Sequence, residues 1–281
     1  MRWTPRGRSA DIEDRRGVRA GGGFRGGRIA PIGLGGLAIL VLISLLTGQD
    51  FLALLDPGGD PYRSGAPAST DYVATSPEEE QLIQFVSFVL DDAQATWTEL
   101  LPGRYSRAKL VLFRDAVDSA CGFAQSATGP FYCPGDQKVY IDLGFYQELR
   151  RRFGAPGDFA QAYVLAHEIG HHVQTLLGTD REVRSLQSER PDRANDLSVR
   201  MELQADCYAG VWGHSAARRD TLDPGDVEEG LNAAAAIGDD RLTGGRLAPE
   251  RFTHGSSAQR VEWFRRGLQS GRPQDCDTFS R

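Results

Sequence analysis

Residues 162–178 read "AYVLAHEIGHHVQTLLG", in which His167, Glu168 and His171 form an H-E-x-x-H pattern. On a helix, residues four apart lie about 40° apart around the axis, so both imidazoles can address one ion. Glu168 is the next position round and can reach a water on that ion. Zinc lowers the pKa of such a water, the glutamate takes its proton, and the resulting hydroxide attacks a peptide carbonyl. The proton then passes to the leaving amine. Phe159, Val164, Leu165 and Ile169 give the segment the apolar support a buried catalytic helix requires, and the motif uses two of the chain's five histidines. His172 points about 100° away from His171 and is read as structural.

A catalytic zinc takes three protein ligands and keeps a fourth position open. The extended pattern H-E-x-x-H-x-x-G-x-x-H is excluded, because Gln174 and Leu177 stand at its last two fixed positions. The other common solution is a glutamate on a later helix, and "RMELQADCYAGVW" at 200–212 supplies Glu202 and Asp206. Their i, i+4 spacing puts both carboxylates on one face. Glu202 is the expected third ligand, and Asp206 orients a ligand imidazole through its free N–H. A solvated acidic face is the alternative; Leu203, Ala205, Cys207, Ala209 and Val211 make this helix too apolar for it. The expected cofactor is therefore one Zn2+ per chain, held by His167, His171 and Glu202. His214 lies three turns further on and is read as a surface or packing residue. His254 sits in the polar stretch Thr253–Ser257, before a helix that Ser256 caps with Gln259 completing an S-x-x-Q box. Charge developing on the carbonyl oxygen needs a donor besides the metal, and His254 is the catalytic candidate for that donor. A capping loop whose histidine only packs is the alternative.

The elements that would position these groups can be read from punctuation and period. Ser76-Pro77-Glu78-Glu79 starts a helix, carried to about Trp97 by Leu82, Val86, Val89, Ala93 and Trp97 at three- and four-residue spacing. Lys109–Phe113 reads as a strand. Cys121–Asp142 reads as short strands around turns at Gly129-Pro130 and Pro134-Gly135-Asp136, ending in Val139–Asp142. Helices are expected at 145–153, 158–177, about 194–217, 225–238 and 256–269. The fold class is α+β, a small, mostly antiparallel sheet packed on several helices, with the catalytic domain at 76–281.

The N-terminal quarter differs in kind. Residues 1–28 carry eight arginines against Asp11, Glu13 and Asp14, a balance of +5 that leaves −11 of the net −6 on the remainder. An acidic main domain argues against a nucleic-acid partner. Ile29–Gly48 is uncharged over 20 residues, enough to span roughly 30 Å as a helix. A cleaved signal peptide would call for a shorter run, a shorter leader and a clear small-x-small site. The expectation is an uncleaved single-pass anchor at 29–48, a basic cytoplasmic tail at 1–28 and a Pro/Gly/Ser-rich linker at 49–75. The arginines hold the N-terminus inside and put the catalytic domain outside the cytoplasmic membrane. Four cysteines fit an oxidising compartment. Of three possible connectivities, Cys121–Cys133 reads as a clip across a β-hairpin and Cys207–Cys276 as a tie from the tail to a helix. A four-cysteine zinc site lacks the C-x₂-C spacing it would need.

Together, "DIEDRRG" at 11–17, "CGFA" at 121–124, "GPFYCPGDQKVYID" at 129–142, "HEIGHHVQ" at 167–174, "ELQADCYAGVW" at 202–212, "FTHGSSAQRVEWFRRG" at 252–267 and "CDTF" at 276–279 resemble the neutral zinc metallopeptidase family of membrane-anchored bacterial proteins. The resemblance covers nearly the whole chain. It implies a zincin-like fold with a glutamate as third ligand. The chain is also similar to the wider group of membrane-linked metallopeptidases, which implies a late histidine followed by a helical arginine, here His254 and Arg260, the arginine bracing the loop. In such folds a strand before the metal helix pairs with the substrate backbone, which points to Val139–Asp142 or Phe131–Cys133. The expected function is a zinc-dependent endopeptidase acting on a peptide or protein. A zinc hydrolase of cell-wall peptides and a non-catalytic scaffold are the alternatives.

Overall fold

A computed structural model describes residues 1–18, 75–151, 154 and 157–280. The expected anchor Ile29–Gly48 and the linker up to residue 74 lie outside the described residues. Among the described residues no helix is long and apolar enough to cross a membrane. Helix α1 (Pro77–Leu100) starts as its capping residues dictate. Ser76 accepts the Glu79 N–H and three glutamates fill the first turn, where the helix dipole favours negative charge. Its buried face, including Ile83, Val86, Val89, Leu90, Ala93 and Trp97, forms one wall of the main core.

The sheet has the order β1-β2-β6-β5, formed by Ile12–Asp14, Lys109–Phe113, Lys138–Asp142 and Phe131–Cys133. Pairs β1–β2 and β2–β6 are parallel, and only β5–β6 is antiparallel. This corrects the mostly antiparallel sheet expected from the turn signals. Those turns report only neighbours in sequence. Between β2 and β6 the chain makes a separate hairpin, β3 (Ala116–Ser119) with β4 (Gly122–Gln125), and so returns to run alongside β2 in the same direction. The Cys121–Cys133 bond is formed, but it is not a clip across one hairpin. It ties the tip of the β3–β4 arm to the end of β5.

Strand β1 lies within the 1–28 stretch read as a tail, yet residues 1–18 are part of the folded unit. Only Ile12 of its three residues is apolar, so no hydrophobic pattern announces it. Trp3 of the same segment packs edge-on against Phe85 of α1.

Helices cover the other side of the core. They are α2 (Gly144–Arg151), α3 (Asp158–Leu177), α4 (Thr179–Glu189), α5 (Ala194–Arg218), α6 (Asp226–Ala236), the single turn α7 (Asp239–Leu242) and α8 (Ser257–Ser270). Helix α3 is buried along most of its length and packs on α1, α5 and α6, while α5 lies against α8. The α5–α8 approach is backbone to backbone. A Cβ on Gly267 would fall 1.9 Å from the Cys207 carbonyl oxygen, and one on Gly210 would fall 2.1 Å from that of Phe264. The Cys207–Cys276 bond fastens the C-terminal tail to α5, as read from the sequence.

Candidate metal centre

Two helices bring the three expected ligands together. His167 and His171 project from α3, and Glu202 projects from α5. Gly170 lets the two helices meet at this level, since a Cβ there would lie 2.9 Å from the Ala205 carbonyl oxygen. The Nε2 atoms of His167 and His171 are 3.2 Å apart. Glu202 Oε2 lies 3.2 Å from His167 Nε2, and Oε1 lies 3.4 Å from His171 Nε2. Zinc bonds to such donors run about 2.0–2.2 Å, so the edge of a tetrahedral site is roughly 3.4 Å. The separations are close to that edge, with each Glu202 oxygen facing a different imidazole, and the nitrogen and oxygen donor set suits zinc.

The outward nitrogens of both imidazoles are already committed. His167 Nδ1–H donates to Asp206 Oδ1 at 2.8 Å, and His171 Nδ1–H donates to Gln174 Oε1 at 2.8 Å. Both Nε2 atoms therefore face the same point, an arrangement that presents them together to one metal ion. Gln174 is itself pinned, donating to the Met201 carbonyl at 2.8 Å and to Gln204 at 3.1 Å. Sequence reasoning used Gln174 only to exclude a pattern. Its place three residues after a ligand histidine, one helical turn on, was the available signal.

Asp206 is wholly buried and serves three partners. Besides His167, it accepts from Tyr163 Oη at 2.5 Å and from Arg260 Nε and Nη2, each at 2.9 Å. Burial alone would raise its pKa, but Arg260 and His167 hold it below the usual carboxylate value. Burial would likewise lower His167, and the charge and hydrogen bond of Asp206, with Glu202, raise it to about 10. Glu202 is pulled well below its ordinary value against its burial, chiefly by His171 and His167. The pocket thus carries a strong demand for positive charge where the three donors converge. Glu168 is buried beside them, and burial pushes its carboxyl upward.

His254 stands half-exposed in the loop before α8, and Ser256 and Gln259 form the expected capping box. Its Nδ1–H donates to Asp239 Oδ1 at 3.0 Å, leaving Nε2 free. Asp239 Oδ2 also accepts the backbone N–H groups of Thr253, His254 and Gly255 at 2.8, 2.8 and 3.2 Å. Burial lowers the His254 pKa, but the Asp239 hydrogen bond and the charge of Glu202 outweigh it and raise the pKa. Arg260 was expected to brace this loop. The structure gives that task to Asp239 and gives Arg260 to Asp206. No spacing rule pairs Asp239 with His254, and sequence reasoning missed it. His172 joins Tyr132 Oη at 3.0 Å and the Ser106 carbonyl at 2.7 Å, a structural role. His214 Nδ1 bonds the Leu268 carbonyl at 2.9 Å and packs α5 on α8.

Of the two strands offered for substrate pairing, Val139–Asp142 is engaged on both sides, by β2 and by β5. The far side of β5 has no strand partner among the described residues.

The family described as "Putative neutral zinc metallopeptidase" matches residues 1–279. The uncharacterized protein YpfJ of Escherichia coli is 47% identical over all of this chain and 99% of its own length. The uncharacterized protein Rv2575 of Mycobacterium tuberculosis is 47% identical over 68% of each chain. No solved structure matches the chain.

Proposed function

Because the chain belongs to the neutral zinc metallopeptidase family, we propose that it is a zinc-dependent endopeptidase in which His167, His171 and Glu202 hold the metal and Glu168 is the general base. The convergence of two imidazole nitrogens and the Glu202 carboxylate, at contacts of 3.2–3.4 Å and with both imidazoles locked from behind, carries this reading. Zinc, when bound, supplies Lewis acidity to a water and to the scissile carbonyl. Glu168 takes the proton of the attacking water and delivers it to the leaving amine. His254, fixed by Asp239 through Nδ1, offers Nε2–H to the carbonyl oxygen as negative charge develops there. Asp206 and Gln174 are positioning residues that set the two imidazoles. The open side of β5, at Phe131–Cys133, pairs with an extended substrate backbone.

The test compares the full chain with Glu168→Gln, measuring zinc content and cleavage of an unfolded protein and of cell-wall peptides. The expected result is equal zinc, about one per chain, with cleavage only by the unaltered chain. Cleavage that survives Glu168→Gln would remove Glu168 from the mechanism, and turnover of cell-wall peptides alone would redirect the substrate class.

A further inference from the structure

Strand β1 is part of the catalytic fold, and that has a topological consequence. It pairs with β2 in the register Ile12–Leu110, Glu13–Val111, Asp14–Leu112. The Leu110 N–H donates to the Asp11 carbonyl and the Arg15 N–H to the Leu112 carbonyl, both at 2.8 Å. Side chains repeat the connection. Lys109 and Lys138 are the chain's two lysines, and both are spent on this strand and the residue just before it. Lys109 Nζ lies 2.8 Å from Asp11 Oδ1, and Lys138 Nζ lies 2.7 Å from Glu13 Oε1. Arg107 adds a second cation on Asp11.

The exit and the return of the chain are fastened to each other as well. Arg16, nearly inaccessible, is paired with Asp14 at 2.6 Å and with Glu79 in the first turn of α1 at 2.9 Å. It also donates to Thr75 Oγ1 at 3.2 Å. A buried guanidinium stripped of such partners is costly. Without β1, the buried strand β2 would present an unpaired edge, a liability that folded proteins avoid.

Between Val18 and Thr75 the sequence contains one uncharged apolar run of bilayer length, Ile29–Gly48; the stretch from there to Thr75 carries Asp50, Asp56, Asp60, Arg63 and Asp71. A single crossing there would put Val18 and Thr75 on opposite faces of the membrane. The 3.2 Å hydrogen bond from Arg16 to Thr75, with the Arg16–Glu79 ion pair beside it, does not allow that.

We infer that residues 1–18 and the metal centre lie on the same side of any membrane the chain meets, so that the chain makes no net crossing between Val18 and Thr75. The docked β1 and a single-pass, N-inside topology are mutually exclusive.

The test uses the full chain in its native membranes. Zero-length carbodiimide coupling followed by peptide mapping should recover Asp11 linked to Lys109 and Glu13 linked to Lys138. In parallel, Thr4→Cys and Ser188→Cys variants, both at exposed positions, are treated in spheroplasts with a membrane-impermeant maleimide. The expected result is that both label before lysis or both label only after it. Labelling of one before lysis and of the other only after lysis would overturn the inference. So would native-membrane protein in which neither lysine is linked to the N-terminal peptide.

Discussion

Arg260 is 2% exposed and Asp206 fully buried, so each charge depends on the other for its place in the fold. Removing one member of such a pair typically costs about 3–5 kcal/mol, because the survivor is left uncompensated. Arg260→Ala should therefore lower stability by that order in denaturant unfolding. Asp206→Asn keeps the shape but leaves Arg260 without its counter-charge, so it should lose stability of the same order and also weaken zinc affinity, by roughly 10–100-fold in a chelator competition. Unchanged zinc affinity in Asp206→Asn would mean that His167 needs no orienting partner. The loop histidine gives a second case. His254→Ala should keep zinc and lower kcat by roughly 10²-fold, the scale of one lost oxyanion donor. If Asp239 acts only by holding His254, Asp239→Asn should add little to His254→Ala in a double-mutant cycle. A further large loss in the double variant would give Asp239 a role of its own. The proposed ligand residues were legible because H-E-x-x-H and E-x-x-x-D are spacings along single helices. Asp239 was not, since it meets His254 across a turn that no periodicity encodes, and Arg260, expected at the loop, is paired with Asp206 instead.

Among the elements, the α5–α8 crossing is the least tolerant. Gly267→Ala puts a methyl into the Cys207 backbone and should destabilise the chain by about 1–3 kcal/mol as an overpacked contact, read as a fall in the urea midpoint. The two disulfides close loops of 12 and 69 residues. Loop entropy alone would make them worth about 3 and about 4 kcal/mol. The Cys207→Ser/Cys276→Ser variant should consequently lose more thermal stability than Cys121→Ser/Cys133→Ser. It should also lose zinc affinity, since Cys207 adjoins Asp206. Strand β1 has a pH signature. Burial favours protonation of Asp11 and Glu13, but their lysine and arginine hydrogen bonds outweigh it, and Arg16 lowers Asp14. Carboxyls lowered in this way contribute stability above their unfolded values of 3.8–4.5 and lose it as pH falls through the folded ones. Amide exchange in β1 should be unaffected by these groups between about pH 5 and 8 and accelerate only in stronger acid. Loss of protection already near neutrality would show that those pairs do not hold the strand. Helix boundaries were readable because caps and glycines write them locally, as at Ser76 and Ser256. Strand direction was not, because β2 and β6 are joined through a hairpin arm whose turns say nothing about its final neighbour.

Over the whole molecule, the order of synthesis is at odds with the order of assembly. Strand β1 leaves the ribosome first, but its partner β2 emerges almost a hundred residues later, and β2 is itself enclosed only after β6 is made. Such distant parallel pairings form slowly, because the closure entropy of the intervening chain comes due before the contacts compensate for it. During that interval β2, with four of its five residues destined for the interior, has a bare edge open to other chains. A chain shortened to begin at residue 76 would keep every ligand of the metal centre and lose the strand that closes this edge. It should refold to a metal-binding product in dilute solution, yet aggregate increasingly as protein concentration rises. The full chain should show this dependence only before β1 docks. Docking of β1 thus covers the edge of β2 that the rest of the sheet leaves open.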